Sequence, residues 1–271
     1  MQIRANQVAV ITGAGSGIGA ALATACAKLG LRVLVADIEY EAAEATASRL
    51  RKAGAKANAY QVDVSDSEEV YAMADHCQKL FGGCDLLCNN AGVSIQKPIE
   101  EMSPADWSWL VSVNTLGVAH SLSAFLPIMR QQQQGYIVNT ASMAGLTPLC
   151  NFGAYTASKY AVVGMSEVLK EELKDSHLGV SVLCPGIVKT QIYQSERNRP
   201  DNANIAPPQS KASMETDFDT TYSRQLQPEH IADLVIQGVE ANRFYIISHP
   251  EWKPLVDYRL SAVCDAFLTH S

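Results

Sequence analysis

Positive charge is scarce in this sequence. Its 271 residues carry 21 Lys and Arg against 28 Asp and Glu, a net charge of −7, and only 18% are charged. No basic stripe for nucleic acid is expected. No apolar run is seen to approach the ~20 residues of a membrane span. The opening MQIRANQVAVITG lacks the apolar core and cleavage site of a secretion signal, so a cytoplasmic protein with no membrane partner is expected. Cysteine pairing shows no pattern. The seven cysteines (Cys26, Cys77, Cys84, Cys88, Cys150, Cys184, Cys264) are odd in number. Only Cys84 and Cys88 stand close, at a spacing that fits no zinc or redox motif, which favours reduced, mostly buried thiols. Six scattered histidines show no ligand spacing, so no metal is expected.

What is present is alternation. Short apolar runs at 8–12, 31–37, 57–64, 84–92, 135–142, 179–186 and 243–248 read as strands. Between them lie helical stretches, several closed by Gly: 18–30, 39–54, a segment opening at Ser65, 104–134, 154–173 and 228–242, with a last helix from Glu251. Strands that are apolar on both faces and alternate with helices predict an α/β fold. It is one doubly wound domain with a parallel sheet and helices on both faces. Gln191 to Gln227 is the exception: polar, with Pro200, Pro207 and Pro208, it reads as a long functional loop, a substrate lid at 191–227.

Three clusters carry chemistry. Thr12–Gly19, TGAGSGIG, joins the first strand to the first helix, where glycines let backbone approach a phosphate at a helix N-terminus. Asp37 ends the second strand, where an acid can hold both ribose hydroxyls of NAD and repel the 2′-phosphate of NADP; the alternative is a cap for the next helix. Tyr155–Lys159, YTASK, puts a phenol and an ammonium one helical turn apart. Such a pair is a tuned proton donor and acceptor, or a Tyr packed on an aliphatic Lys stem.

Taken together, TGAGSGIG, Asp63-Val64, NNAG at 89–92, Asn114, Ser142, YTASK and Pro185-Gly186 resemble the short-chain dehydrogenase/reductase family. The resemblance runs from Val8 to Thr190 and more loosely to Ser248. It implies a single Rossmann-like domain over 1–271 with a seven-stranded parallel sheet, and NAD(P)-dependent interconversion of alcohols and carbonyls. It implies Tyr155 as general acid/base and Lys159 as the cation that lowers its pKa and holds the nicotinamide ribose. Ser142 would hold the substrate oxygen, and Asn114 a water in a proton relay. On the cofactor side it implies Gly13, Ser16, Gly17, Ile18 and Gly19 at the phosphates, Asp37 and Ile38 at the ribose, and Asp63 and Val64 at the adenine. Asn89, Asn90, Ala91 and Gly92 would run along the adenosine and stabilise the sheet. Pro185, Gly186, Ile187, Val188 and Thr190 would stand at the nicotinamide, with Tyr155 and Lys159 beside it. Asp37, with no basic residue at Ser16 or Ile38, favours NAD over NADP.

The substrate pocket is expected among Ser94, Ile95, Gln96, Met143, Ala144, Leu149, Cys150, Phe152, Ile192 and Tyr193. None is Arg or Lys, which points away from small carboxylates and phosphates toward an apolar alicyclic, aromatic or steroid-like secondary alcohol or ketone. Two alternatives stand beside it: an NADPH-linked carbonyl or acyl-carrier ketoreductase, and a dinucleotide-binding sensor without turnover. The first would want basic residues for cofactor and carrier, and the second commonly loses the Tyr or Lys that stand here. The resemblance further implies a homodimer or homotetramer built on the two long helices.

Overall fold

Val8–Thr12 (β1) is buried at all five residues, which a strand tolerates only in the middle of a covered sheet. A computed structural model describes residues 1–200 and 224–267. In it β1 lies between β2 (Arg32–Asp37) and β4 (Leu86–Asn89). The seven strands are parallel in the order β3-β2-β1-β4-β5-β6-β7, with β3 at Ala57–Gln61, β5 at Gly135–Thr140, β6 at Leu178–Cys184 and β7 at Tyr245–Ile247. The chain steps outward from β1 to β3, then returns across the sheet to pair Ala9 with Leu86. Loops at the carboxyl ends of β1 and β4 therefore diverge and leave a crevice.

Alternate β1 residues feed two cores. Val8 and Val10 pack with α3 (Ser67–Phe81), α5 (Gly117–Gln132) and α6 (Gly153–Leu173), through Met73, Phe125 and Leu169. Ala9 and Ile11 pack with α1 (Gly17–Lys28), α2 (Tyr40–Lys52) and α7 (Pro228–Glu240), through Leu22, Ala43 and Val235. This is the expected three-layer α/β architecture.

Local signals set the helix ends. Asp66 accepts hydrogen bonds from the N–H groups of Glu68 and Glu69 at the start of α3, and Gly82 ends it at φ +86°. Ser103 and Asp106 form a reciprocal capping box on α4 (Pro104–Val111). A π-helical turn, Ser112–Leu116, joins α4 to α5 and carries Asn114. The run Pro104–Gln132 corrects the sequence expectation about apolar length, for it is long and apolar enough by composition to span a membrane. Half of its most apolar window is buried in this fold, so its apolar character is spent on the sheet and neighbouring helices. The last helix, α8 (Lys253–Ala266), buries no residue, and Tyr258 and Phe267 are exposed at 81% each. Five cysteines are buried, whereas Cys150 and Cys264 are exposed.

Candidate active site

The crevice outside β1 and β4 is a continuous groove from Asp37 and Asp63 at one end to Tyr155 and Tyr193 at the other. Its floor is the glycine turn. A Cβ on Gly13 would stand 2.8 Å from Ala91 Cα, and one on Gly19 would stand 2.1 Å from the Gly13 carbonyl oxygen. Gly19 thus lies under the turn rather than on the groove, and packs the helix against it. Asn90 clamps the same turn. Its side-chain amide donates to the Thr12 carbonyl at 3.1 Å, while Thr12 Oγ1 accepts the N–H groups of Asn90 and Ala91. Ser16 begins α1 without capping it, and no acid stands in the first turn. The positive end of α1 is therefore open to an anion. A dinucleotide fits this arrangement.

Asp37 is a strut as well as a groove residue. Oδ2 accepts the Gly15 N–H at 2.8 Å and Oδ1 the Glu39 N–H at 3.0 Å. Burial raises its pKa above the ordinary carboxylate value against those two bonds. Asp63 Oδ1 accepts both the N–H and the O–H of Ser65. Asn89 belongs to the sheet instead: it donates to Asn139, Asn139 donates to Ser166, and this buried chain ties β4, β5 and α6 together.

At the other end Ser142, Tyr155 and Lys159 converge. Ser142, at the end of β5, caps a short 3₁₀ turn by accepting the Ala144 N–H at 3.1 Å. Burial pushes the Tyr155 phenol up to about 12, and a hydrogen bond with Ser142 partly opposes that shift. Burial pulls the Lys159 ammonium down to about 8. Lys159 Nζ donates to the Thr140 carbonyl at 3.0 Å and stands 5.6 Å from the centre of the Tyr155 ring. In the protein alone, burial sets the direction of both shifts. Asn114 is fully buried behind the groove. Its amide donates to the Val93 carbonyl and Ser158 Oγ, and its Oδ1 accepts the Val93 N–H at 2.8 Å. A Cβ on Gly92 would lie 3.2 Å from Asn114 Oδ1 and 3.3 Å from Lys159 Nζ. The space over Gly92 is thus shared by the two side chains.

The other expected cofactor-side residues, including Ile18, Ile38, Val64, Pro185, Gly186, Val188 and Thr190, line the groove. Of the expected pocket residues, Ser94, Gln96, Leu149, Phe152, Ile192 and Tyr193 line it too. Met143 does not. The 3₁₀ turn it begins carries its side chain into the core, where it is 1% exposed. Ala144 is buried beside it, Ile95 packs under α4, and Cys150 is exposed away from the groove. Sequence reasoning missed Trp109, Val113, Ser195, Arg197 and Trp252, all of which line the groove. A 3₁₀ segment, Ile192–Asn198, brings Ser195 and Arg197 there. It is held by the Ser94 N–H donating to Ser195 Oγ at 3.2 Å, by Arg197 with Glu39 at 2.9 Å, and next to it by Arg199 with the buried Asp106 at 2.5 Å. The rest of the expected lid, 201–223, lies outside the described residues. Among the described residues no three His, Cys, Asp or Glu side chains cluster as a metal site.

The family model for short chain dehydrogenases matches residues 7–201. A "CLA biosynthesis dehydrogenase/reductase" of Lactiplantibacillus plantarum is 33% identical over 268 residues, covering 95% of this chain and 93% of the relative. A short-chain dehydrogenase/reductase from Burkholderia phymatum, solved with NAD, is 39% identical with a TM-score of 0.90, covering 97% of this chain and 96% of that one. A metagenomic short-chain oxidoreductase, solved with NADP, is 31% identical with a TM-score of 0.72, covering 90% and 96%. Fold, glycine turn and groove agree with these matches: the chain is an oxidoreductase of the short-chain dehydrogenase family, built to take a nicotinamide dinucleotide.

Proposed function

We propose that this protein moves hydride between NAD and an apolar secondary alcohol or its ketone, with alicyclic, aromatic or steroid-like compounds as the substrate class. The convergence of Ser142, Tyr155 and Lys159 at one end of the dinucleotide groove carries the reading. When bound, the oxidised nicotinamide supplies a hydride-accepting carbon and a positive charge. Tyr155 takes the proton from the substrate hydroxyl, or returns it to the carbonyl oxygen in the reverse direction. Ser142 donates a hydrogen bond to that oxygen. A phenol near 12 is a weak acid that stays protonated at neutral pH, so forming the phenolate needs positive charge close by, which Lys159, 5.6 Å from the ring centre, and the bound nicotinamide would supply. Lys159 Nζ and Asn114 Oδ1 both come close to Gly92, and a water bridging them would be a step on a proton route outward.

The substrate end supports the apolar class. Trp109, Val113, Leu149, Phe152, Ile192 and Tyr193 surround it, and the nearby Arg199 is committed to Asp106. NAD is favoured because Asp37 lines the groove at the end of β2, with Oδ2 against the glycine turn at Gly15 and Oδ1 on the Glu39 N–H. One observation favours NADP: Arg197 lines the groove near Asp37. Glu39 pairs with it and offsets that charge. A homodimer or homotetramer is proposed through the long helices, where Leu116 and Val168 stand exposed at 43% and 59%.

The test is reduction of NAD⁺ and NADP⁺ against linear, alicyclic, aryl and steroid secondary alcohols. Turnover with NAD⁺ and a bulky class is expected. Tyr155→Phe should keep NAD⁺ binding and lose nearly all turnover; retained turnover would remove Tyr155 from its role. Dinucleotide binding with no turnover in either direction on any member would favour a sensor.

A further inference from the structure

His249 is fully buried next to the groove but not on it, and the proposed chemistry makes no use of it. Its ring joins three chain segments. Nδ1 accepts the Ser248 hydroxyl at 2.6 Å and, at 3.1 Å, the Gly186 N–H, which also reaches Ser248 Oγ at 3.3 Å, while Nε2 contacts the Arg224 carbonyl at 3.0 Å. The partners fix the tautomer. A carbonyl only accepts, so Nε2 carries the hydrogen; a backbone N–H only donates, so Nδ1 is bare. The fit is close, for a Cβ on Gly186 would stand 2.7 Å from the imidazole Cγ. Two backbone bonds continue the same seam: Leu226 N–H to the Ile187 carbonyl at 3.0 Å, and Lys189 N–H to the Leu226 carbonyl at 2.9 Å. Trp252, which lines the groove, packs edge-on to the imidazole with ring centres 6.3 Å apart.

We propose that His249 is a positioning residue for the nicotinamide half of the cofactor. It holds Gly186 and, through the seam, the wall from Gly186 to Thr190 against which that half lies. This rests on the reading that a dinucleotide occupies the groove with its nicotinamide at the Tyr155 end. Neither the glycine turn nor Asp37 touches His249, so the adenosine half should not sense its loss.

The experiment uses the full-length protein and three variants: His249→Leu, His249→Gln and His249→Asn. Leu removes all three bonds of the ring. Gln places an amide near Nε2 and keeps the bond to Arg224 alone. Asn places an oxygen near Nδ1 and keeps the acceptor for Gly186. Affinities for NAD⁺ and for ADP-ribose, which lacks the nicotinamide ring, are measured by titration calorimetry, with thermal melts alongside. The expected result is NAD⁺ binding weakened about tenfold in the Leu and Gln variants, the scale of one buried hydrogen bond. ADP-ribose binding should stay within about twofold, and Asn should restore most of the loss. Should Leu fail to fold, the contrast of Gln with Asn still decides. Equal weakening of both ligands, or no difference between Gln and Asn, would overturn the proposal. Failure of the wild-type protein to bind either dinucleotide would instead overturn the functional reading beneath it.

Discussion

Lys159 is held at 3% exposure by a single carbonyl at its Nζ, and burial lowers it from 10.5 to about 8. The unfolded chain therefore holds that proton more tightly than the folded one. The resulting destabilisation is complete below about pH 8 and fades as pH rises toward 10.5. Lys159→Met should then be more stable than the wild type at pH 7, by about 1–3 kcal/mol, and inactive. Thermal melts across pH 7–10 should show the advantage shrinking; a variant less stable at pH 7 would contradict it. Asp37 behaves differently, because its two backbone bonds make it structural besides the cofactor selectivity proposed for it. Asp37→Ala should narrow the ratio of kcat/KM for NAD⁺ over NADP⁺ and lower the melting temperature together. An unchanged ratio would leave Asp37 with the strut role alone.

At the scale of elements, α4 is tied to the segment after β6 by one buried carboxylate. Burial alone would raise Asp106, but the Ser103 N–H, Arg199 and Lys97 outweigh it and bring it down to about 2. Its stabilisation is present above the ordinary value of 3.8 and is lost as pH falls through about 2. Asp106→Asn should destabilise by about 2 kcal/mol at pH 7, and by less below about pH 4, in urea unfolding. It should also raise the substrate KM, because it releases Arg199 beside Trp109. An unchanged KM would mean that Ile192–Asn198 holds its place without this tie. These elements also show what was legible beforehand. Strand and helix alternation, the glycine turn, Asp37 and the Tyr155–Lys159 pair could be read because each is local in the chain, whereas Ser142 came from the family resemblance. Arg197, Ser195 and Trp252 could not, since tertiary ties bring them to the groove from beyond the matching motifs. Met143 was misjudged because the direction of one 3₁₀ turn sends it inward. The apolar stretch from Trp107 to Met129 was underrated because Asn114, Ser and His residues break it up without adding a formal charge.

For the whole molecule, the exposed apolar side chains on α6 and the π-helical turn set the next test. Val168→Glu should lower the solution mass measured by sedimentation equilibrium, with the circular dichroism spectrum unchanged. An unchanged mass would move the interface elsewhere, and α8, with Tyr258 and Phe267 outward, would be examined next. The clamp of Asn90 on the glycine turn has a separate consequence. Asn90 reaches Thr12 across 78 positions of chain, and β1 meets β4 only after β2 and β3 have been made. The turn that reads as a nucleotide motif within eight residues is therefore completed by a distant contact, which forms late because it closes a long loop. During synthesis, the growing chain carries TGAGSGIG in full long before it can hold a ligand there. The glycine-turn end of the groove should become competent when the fourth strand docks and the nicotinamide end only once Gly186–Thr190 is in place after β6, and cofactor in the cell would then draw the folding equilibrium forward.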